Sequence, residues 1–278
     1  MSVWVLLAVL GAALLHALWN ALLRVGTSRV AAMMVLSAGQ GVIGLVIVLT
    51  HGLPSAQVWP WILASALIHT GYQTFLAFAY EHGDLSRVYP LARGTAPMIT
   101  LAVSALWLSE AINLTEAVGI IVLGTGILLL ARGVWTSGES RRMLPYAFGS
   151  ACATAGYTLT DGIGARAEGD PVLYLGWVML VAGIVFALVM LGLRGQSAVP
   201  RVRKVWMLGS LGAIASYSAY AVVVWAMTQA PIPLVAALRE TSILFAVLIG
   251  WLIFGERMTA SKVLSVALII AGVIVTRL

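Results

Sequence analysis

Residues 93–126 read RGTAPMITLAVSALWLSEAINLTEAVGIIVLGTG, and this stretch decides the fold because the chain contains its pattern twice. The second copy, residues 239–272, reads RETSILFAVLIGWLIFGERMTASKVLSVALIIAG. In each copy an arginine lies inside an apolar segment, a glutamate ends that segment, and a second apolar segment follows. An offset of 146 residues aligns the copies without a gap, placing Arg93 on Arg239, Thr95 on Thr241, Glu110 on Glu256 and Gly126 on Gly272. A fixed offset of about half the chain predicts a duplicated protein.

The amino-acid composition predicts a membrane protein. Hydrophobic residues make up 61% of the 278 positions and charged residues only 9%. A soluble domain carries roughly 25% charged and about 45–50% apolar residues, so this much apolar surface requires lipid around it. Cys152 is the single cysteine, which excludes an intramolecular disulfide bond and a zinc site built from several thiols.

The apolar segments predict ten membrane-spanning helices. A bilayer core about 30 Å thick needs roughly 20 apolar residues per helix. The segments that meet this length are 3–23, 30–50, 58–80, 86–108, 114–132, 144–163, 171–193, 205–228, 232–254 and 260–277. The longest polar gap separates five spans from five, so we expect one repeat over residues 1–134, a cytoplasmic linker over 135–143, and a second repeat over 144–278.

The basic residues predict how the spans are oriented. Of sixteen lysines and arginines, twelve follow the odd-numbered spans, two lie on the opposite side, and two lie inside spans. Cytoplasmic loops carry the excess of positive charge, so both termini are expected outside the cytoplasm. Because five is an odd number, the second half enters from the other side. The predicted fold class is therefore an all-α polytopic membrane protein with two inverted five-helix repeats.

Two motifs carry a resemblance to a known family. Trp107-Leu-Ser-Glu110 precedes a span containing Gly119 and Gly126, and Phe254-Gly-Glu256 precedes a span containing Gly272. Ten spans with this doubled motif resemble the two EamA-type repeats of the drug/metabolite transporter (DMT) superfamily. The resemblance covers nearly the whole chain, and within the superfamily the chain is most similar to YddG-type exporters of aromatic and other amino acids.

The resemblance implies a secondary transporter in a bacterial-type inner (plasma) membrane that works by alternating access. Its central cavity is expected between the two repeats, lined mainly by spans 1, 3, 4, 6, 8 and 9, with spans 5 and 10 packed outside. One chain already contains both halves, so a monomer is sufficient. The expected partners are a small-molecule substrate and membrane lipid, with no nucleic acid and no cofactor.

Polar and aromatic side chains inside the spans are the candidate substrate-binding residues, because such residues are costly in a membrane and usually functional. Apolar and aromatic walls with a few polar groups are typical of binding pockets. The alternative is that these residues hold helices together by hydrogen bonds. The candidates are His16, Trp19, Asn20, Tyr72, Gln73, Tyr80, Tyr157, Asp161, Tyr217 and Tyr220.

Arg93 and Arg239 are further candidates, because a guanidinium inside a span can bind a substrate carboxylate with both branches of its fork. The alternative is that each arginine pairs with a nearby carboxylate of the protein or caps helix ends. The topology predicts Asp161 and Arg239 toward the same outer side, where they could neutralise each other. Glu110 and Glu256 end their helices at opposite faces, and we interpret them as a structural or gating pair.

The sequence favours a carrier that exports small amphipathic metabolites, above all neutral and aromatic amino acids. Export of nucleosides, sugars or cationic compounds is the alternative within the superfamily. An intramembrane enzyme is disfavoured because no paired-histidine metalloprotease motif and no second intramembrane aspartate occur. A channel is disfavoured because no ring of charges or repeated filter loop is present. A proton could bind Asp161, Glu240 or His16, but uncoupled transport or exchange is favoured.

Overall fold

The computed structural model describes residues 1–23, 29–82, 85–108, 110, 112–131, 143–253 and 255–277. Side chains are described for these residues except 21–23, 29–30, 80–82, 85–92, 131 and 143. The predicted linker over 135–143 therefore lies outside the described part, apart from the backbone of Met143.

The described backbone is helical, and no strand occurs in it. The α-helices are α1 (Val3–Leu23), α2 (Arg29–His51), α3 (Trp59–His82), α4 (Leu85–Trp107), α5 (Leu114–Ala131), α6 (Met143–Glu168), α7 (Pro171–Arg194), α8 (Arg203–Gln229), α9 (Ile232–Arg239), α10 (Ser242–Leu252) and α11 (Ala260–Val275). Short 3₁₀ turns cover Ala56–Val58 and Gly195–Ala198. The prediction of an all-α protein is confirmed.

Six of the described helical segments are long and apolar enough to cross a bilayer. They correspond to α1, α2, α3, α7, α8 and the pair α9–α10, while α5 and α11 are shorter apolar helices. The helices α4 and α6 are less apolar because they carry buried polar side chains: Arg93, Thr100 and Ser104 in α4, and Ser150, Thr154, Thr158 and Asp161 in α6. Polar groups inside a membrane protein turn toward the interior, so these two helices face the centre of the molecule.

The ninth predicted span, 232–254, is not one continuous helix. The helix α9 ends at Arg239 and α10 begins at Ser242. Between them, the Glu240 amide donates to the Ala237 carbonyl at 3.0 Å and the Thr241 amide donates to the Leu238 carbonyl at 3.1 Å. These bonds span three residues instead of four, so the chain tightens into a 3₁₀ turn within the predicted span. The break lies at Glu240, not at the prolines that open the span.

The most extensive helix contacts join helices from different halves of the chain: α2 with α7, α3 with α6, α5 with α11, and α1 with α8. Glycines allow two of these contacts to be close. A Cβ atom added to Gly272 of α11 would lie 2.7 Å from the Gly119 carbonyl oxygen of α5. A Cβ atom on Gly44 of α2 would overlap the Gly176 carbonyl oxygen of α7. The core of the molecule is therefore built between the halves.

Candidate substrate site in the membrane interior

A cavity of about 120 Å³ lies among the crossing helices. A buried water needs roughly 10–15 Å³ of such space, so the cavity has room for several waters or a small solute. The described lining comes from α1, α2, α3, α4, α6, α7, α8 and α9, with none from α5 or α11. The expected packing of spans 5 and 10 away from the cavity agrees with this lining. The contribution of α2, through Ala32, Met33, Leu36 and Gln40, was not predicted.

Most of the predicted candidates meet at this cavity. Those that line it are His16, Trp19, Asn20, Tyr72, Gln73, Arg93, Tyr157, Tyr220 and Arg239. Tyr217 does not line it, and its ring packs in the apolar cluster of Val178 and Val224. Asp161 is fully buried behind the wall. Tyr80 belongs to α3, but its side chain lies outside the described part of the chain.

Gln40 is a wall residue absent from the predicted set. The Gln40 amide donates to the Ser216 hydroxyl at 3.2 Å, which joins α2 to α8 at the cavity surface. Gln40 is a buried amide in a mostly apolar helix. Polar residues inside a membrane are costly and usually functional. An amide within a mostly apolar span was therefore the signal that could have identified Gln40.

Arg93 and Arg239 converge on one carboxylate. The Nε of Arg93 donates to Oε2 of Glu240 at 2.8 Å, and Nε and Nη2 of Arg239 each lie 3.2 Å from Oε1. Glu240 is fully buried, and the two arginines are 2% and 4% exposed. The prediction that Asp161 neutralises Arg239 is wrong, because Glu240 takes that place. Nη1 of Arg239 has no hydrogen-bond partner in the described structure.

Asp161 is held by donors from three other helices. Ser65 of α3 donates its hydroxyl to Oδ1, and Tyr174 of α7 donates to the same oxygen at 3.2 Å. Oδ2 lies 2.9 Å from Nε2 of His69 on α3 and 2.5 Å from the hydroxyl of Tyr220 on α8. Burying a charge is tolerated only when it is paired and hydrogen-bonded, and this carboxylate has four partners.

Aromatic rings connect the two carboxylates across the cavity wall. The rings of Tyr157 and His69 stack with centroids 4.0 Å apart, and Tyr220 meets Tyr157 edge-on at 5.7 Å. The guanidinium carbon of Arg239 lies 5.7 Å from the centre of the Tyr157 ring and 5.9 Å from that of Tyr220. These are cation–π distances. The wall therefore runs continuously from Glu240 through Arg239 and the two tyrosines to Asp161.

The cavity is closed toward the end of the molecule that carries both termini. There Arg166 donates to Glu110 at 2.6 Å and to the carbonyls of Met227 and Ala230 at 2.7 and 2.9 Å. Ser55 donates its amide and hydroxyl to Glu168 at 3.0 and 2.7 Å. Below these bonds lies a buried apolar cluster from α1, α8 and α9, which includes Val5, Val9, Ala226, Ile232 and Leu234.

The cavity extends toward the opposite end. His16, Trp19 and Asn20 lie near the end of α1, and Ala32 and Met33 lie near the beginning of α2. The two glutamates that were predicted at opposite faces have separate partners. Glu110 bonds Arg166 in the closure, and Glu256 bonds Lys262 at 3.0 Å at an exposed site. Within the described ranges, no group of three His, Cys, Asp or Glu side chains is arranged to hold a metal ion.

Comparison with known proteins gives the family and the fold. The model of the EamA-like transporter family matches residues 3–132 and 141–278, which is nearly the whole chain. A solved crystal structure superposes with a TM-score of 0.76 at 19% identity, covering 99% of this chain and 98% of the other. No curated protein sequence matches. At that identity the solved structure supports the fold alone, but the family match covers both halves. The chain belongs to the EamA-like transporter family and is a membrane transporter of the drug/metabolite transporter superfamily.

Proposed function

We propose that this protein exports amino acids, above all neutral and aromatic ones, by alternating access through the cavity between its two halves. The observation that carries the proposal is the state of Arg239. Arg239 is 4% exposed and belongs to the cavity wall, and its Nη1 has no hydrogen-bond partner among the described residues. A buried donor left unsatisfied costs about 1–3 kcal/mol, and a substrate carboxylate entering the cavity would satisfy it.

The charges around Arg239 favour a negative group on the substrate. Arg93, Arg239 and Glu240 form a cluster with a formal charge of +1. Both arginines line the cavity, whereas the fully buried Glu240 lies behind them. Glu240 holds the guanidinium groups in place through these bonds. One substrate carboxylate would complete the neutralisation of the cluster, and the planar arginine fork is well suited to bind it.

The rest of the wall suits the side chain of a neutral or aromatic amino acid. Trp19, Tyr72, Tyr157 and Tyr220 supply rings, and Met33 supplies a flexible apolar group that adapts to different shapes. Nucleosides, sugars and cationic compounds carry no carboxylate, so they would leave the Arg239 donor unpaired. This is why amino acids are preferred over the other substrates of the superfamily.

An inverted repeat of two domains, 1–134 and 144–278, accounts for the arrangement. The family model matches each half separately. The helix contacts also follow the repeat, in which α1, α2, α3 and α5 correspond to α6, α7, α8 and α11. The contact between α1 and α8 has its counterpart in the contact between α6 and α3, whereas α2–α7 and α5–α11 are contacts between corresponding helices. Inverted repeats place the substrate between the halves near the bilayer midplane, where Arg93 and Arg239 meet.

The distribution of the basic residues supports transport out of the cytoplasm. In a bacterial-type inner membrane the closed end, with both termini and few basic residues, faces outward, because cytoplasmic loops carry the positive charge. The cavity then extends toward the cytoplasm. This is an inward-facing state, ready to load a cytoplasmic substrate, and breaking the Arg166 closure would release it outside.

The test is counterflow in proteoliposomes with a panel of radiolabelled amino acids at equal pH on both sides. We expect neutral and aromatic amino acids to exchange, and Arg239→Ala to abolish the exchange. Arg203→Gln, which removes an exposed arginine at the start of α8, is the matched control and should exchange normally. Exchange of nucleosides or cationic compounds with no exchange of amino acids would overturn the proposed substrate class while leaving the family assignment intact.

A further inference from the structure

We propose that the His69–Asp161 pair is a proton-binding site that makes this protein a proton/amino-acid antiporter. The inference rests on the proposed function, because it needs a substrate that carries an ammonium group. Its basis is geometric: a buried histidine in the cavity wall is bonded at 2.9 Å to a fully buried carboxylate. This differs from the uncoupled transport that the sequence alone favours.

His69 is the member of the pair that can exchange a proton with the cavity. Asp161 has no exposed surface and its four hydrogen-bond partners surround both oxygens. The His69 ring uses Nε2 to bond Asp161, so Nδ1 is the nitrogen on which a proton from the cavity would add. The imidazolium then remains bound to the carboxylate, and the formal charge of the pair changes from −1 to 0. One proton is bound, and no other bond is made or broken.

The buried charges are balanced before that proton arrives. Among the described residues, the buried Asp, Glu, Lys and Arg side chains are Arg93, Arg239, Glu240 and Asp161, two positive and two negative. Glu240 already lies between two guanidinium groups. Asp161 therefore provides the negative charge that can attract one further cation. This cation is either a proton on His69 or the ammonium group of an amino acid whose carboxylate is bound at Arg239.

The surroundings of His69 support this competition. Its ring meets Tyr157 and Asp161 of α6 and Tyr220 of α8, and Tyr174 of α7 reaches the shared carboxylate. On the other described helices, the ionisable side chains that line the same cavity are His16 of α1, Arg93 of α4 and Arg239 of α9, whereas α2 contributes Gln40. The neighbouring titratable groups other than Asp161 are neutral rings or cations. A proton on His69 thus adds positive charge to the cavity wall. This charge repels the ammonium group of an amino acid and lowers the affinity of the cavity for it.

Because the proton and the amino acid exclude each other from the cavity, they are transported in opposite directions. If a bound proton lowers the affinity for the amino acid, the amino acid lowers the affinity for the proton by the same factor. Loading an amino acid from the cytoplasm then expels the proton, and a proton entering from the outside favours release of the amino acid. One proton moves inward for each zwitterionic substrate that moves outward.

The decisive experiment measures accumulation of L-phenylalanine in proteoliposomes under an imposed gradient of one pH unit, with the membrane potential clamped at zero. For one-to-one antiport, wild type is expected to reach a concentration ratio of about ten, with phenylalanine enriched on the acidic side, because 1.4 kcal/mol is a factor of ten. In weakly buffered detergent solution, adding L-phenylalanine should release about one proton per protein, detected with an indicator dye.

Three variants test which histidine binds the proton. His69→Gln keeps an Nε2 amide donor for Asp161 but has no ring nitrogen to take up a proton, so L-phenylalanine should no longer release a proton and the accumulation ratio should fall to one, whatever the rate of counterflow at equal pH. His16→Gln should keep the ratio even where its exchange rate changes. His51→Gln, at the exposed end of α2, is the matched control and should behave as wild type.

The outcomes separate the two proposals. Absence of phenylalanine counterflow in wild type would refute the proposed function and, with it, this inference. Counterflow with a wild-type accumulation ratio of one would refute the inference alone. A ratio of ten retained in His69→Gln would show that the proton binds elsewhere and would also overturn it.

Discussion

Arg93 and Arg239, which lie 146 positions apart in the two copies of the repeated stretch, donate to the same carboxylate of Glu240. Arg93 reaches Glu240 from α4, across the boundary between the halves of the chain. Arg239 precedes Glu240 directly, at the 3₁₀ turn that divides α9 from α10. This cluster joins the halves of the chain and is also part of the cavity wall.

Replacing the shared carboxylate is expected to destabilise the protein. Glu240→Gln leaves two buried guanidinium groups without their negative partner, and breaking a buried ion pair in this way costs about 3–5 kcal/mol. Thermal unfolding of the purified protein in detergent would measure the loss. Glu256→Gln is the matched control, because its side chain is 41% exposed and its bond to Lys262 is at the surface. Surface ion pairs contribute about 0–1 kcal/mol, and equal stability loss in the two variants would contradict a central role for Glu240.

The proposal that the cavity binds a carboxylate can be tested with Arg239→Lys. Lysine keeps the positive charge but loses the fork, so affinity for amino acids should fall roughly tenfold or more, because a hydrogen bond to a charged group contributes about 1.5–3 kcal/mol. Competition by the corresponding amino-acid amides, which lack the carboxylate, should be weak in wild type and unchanged in the variant. If amides compete as well as the acids in wild type, Arg239 does not bind a carboxylate.

The contact between α5 and α11 depends on the absence of a side chain at Gly272. A methyl group there would meet the Gly119 carbonyl at 2.7 Å and the Leu123 amide at 2.6 Å, so Gly272→Ala should force the helices apart and cost about 1–3 kcal/mol. Gly192 of α7 has no atom within 4 Å of an added Cβ. Gly192→Ala should therefore be neutral or stabilising, by up to about 1 kcal/mol. Detergent unfolding curves of the two variants would show the contrast.

The closure at Arg166 is expected to determine which side the cavity faces. Arg166→Gln removes the charged bond to Glu110 and weakens both carbonyl contacts, so the outward-open population should rise. In a Cys152→Ser background, a reporter cysteine at buried Val9 should then react several-fold faster with a membrane-impermeant maleimide from the terminal side. Arg201→Gln, at an exposed arginine, should leave the reaction rate unchanged. An unchanged rate in Arg166→Gln would mean that the apolar cluster alone closes this end.

The arrangement of the candidate residues could be predicted only in part. Trp19, Tyr157 and Tyr220 line the cavity as expected, because rings with polar groups on one helical face turn away from lipid. Tyr217 shows the limit of the same reasoning. It follows Ser216, which does line the cavity, but the rotation of α8 directs its ring into the core against α7.

The sequence by itself determined the all-α class, the approximate positions of the helices and the doubled pattern around Arg93 and Arg239. These are local properties, since the bilayer fixes how many apolar residues a span needs and each helix satisfies its own backbone hydrogen bonds. Only the tertiary structure decided that Glu240, and not Asp161, neutralises Arg239, and that Asp161 pairs with His69. His69 and Asp161 come from different helices, 92 residues apart, and Glu240, which is adjacent to Arg239 in sequence, is also bound by Arg93 from 147 residues away. These distances depend on how each helix is rotated and packed. The break at Glu240 could not be predicted either, because a mostly apolar run of this length is equally compatible with one continuous helix.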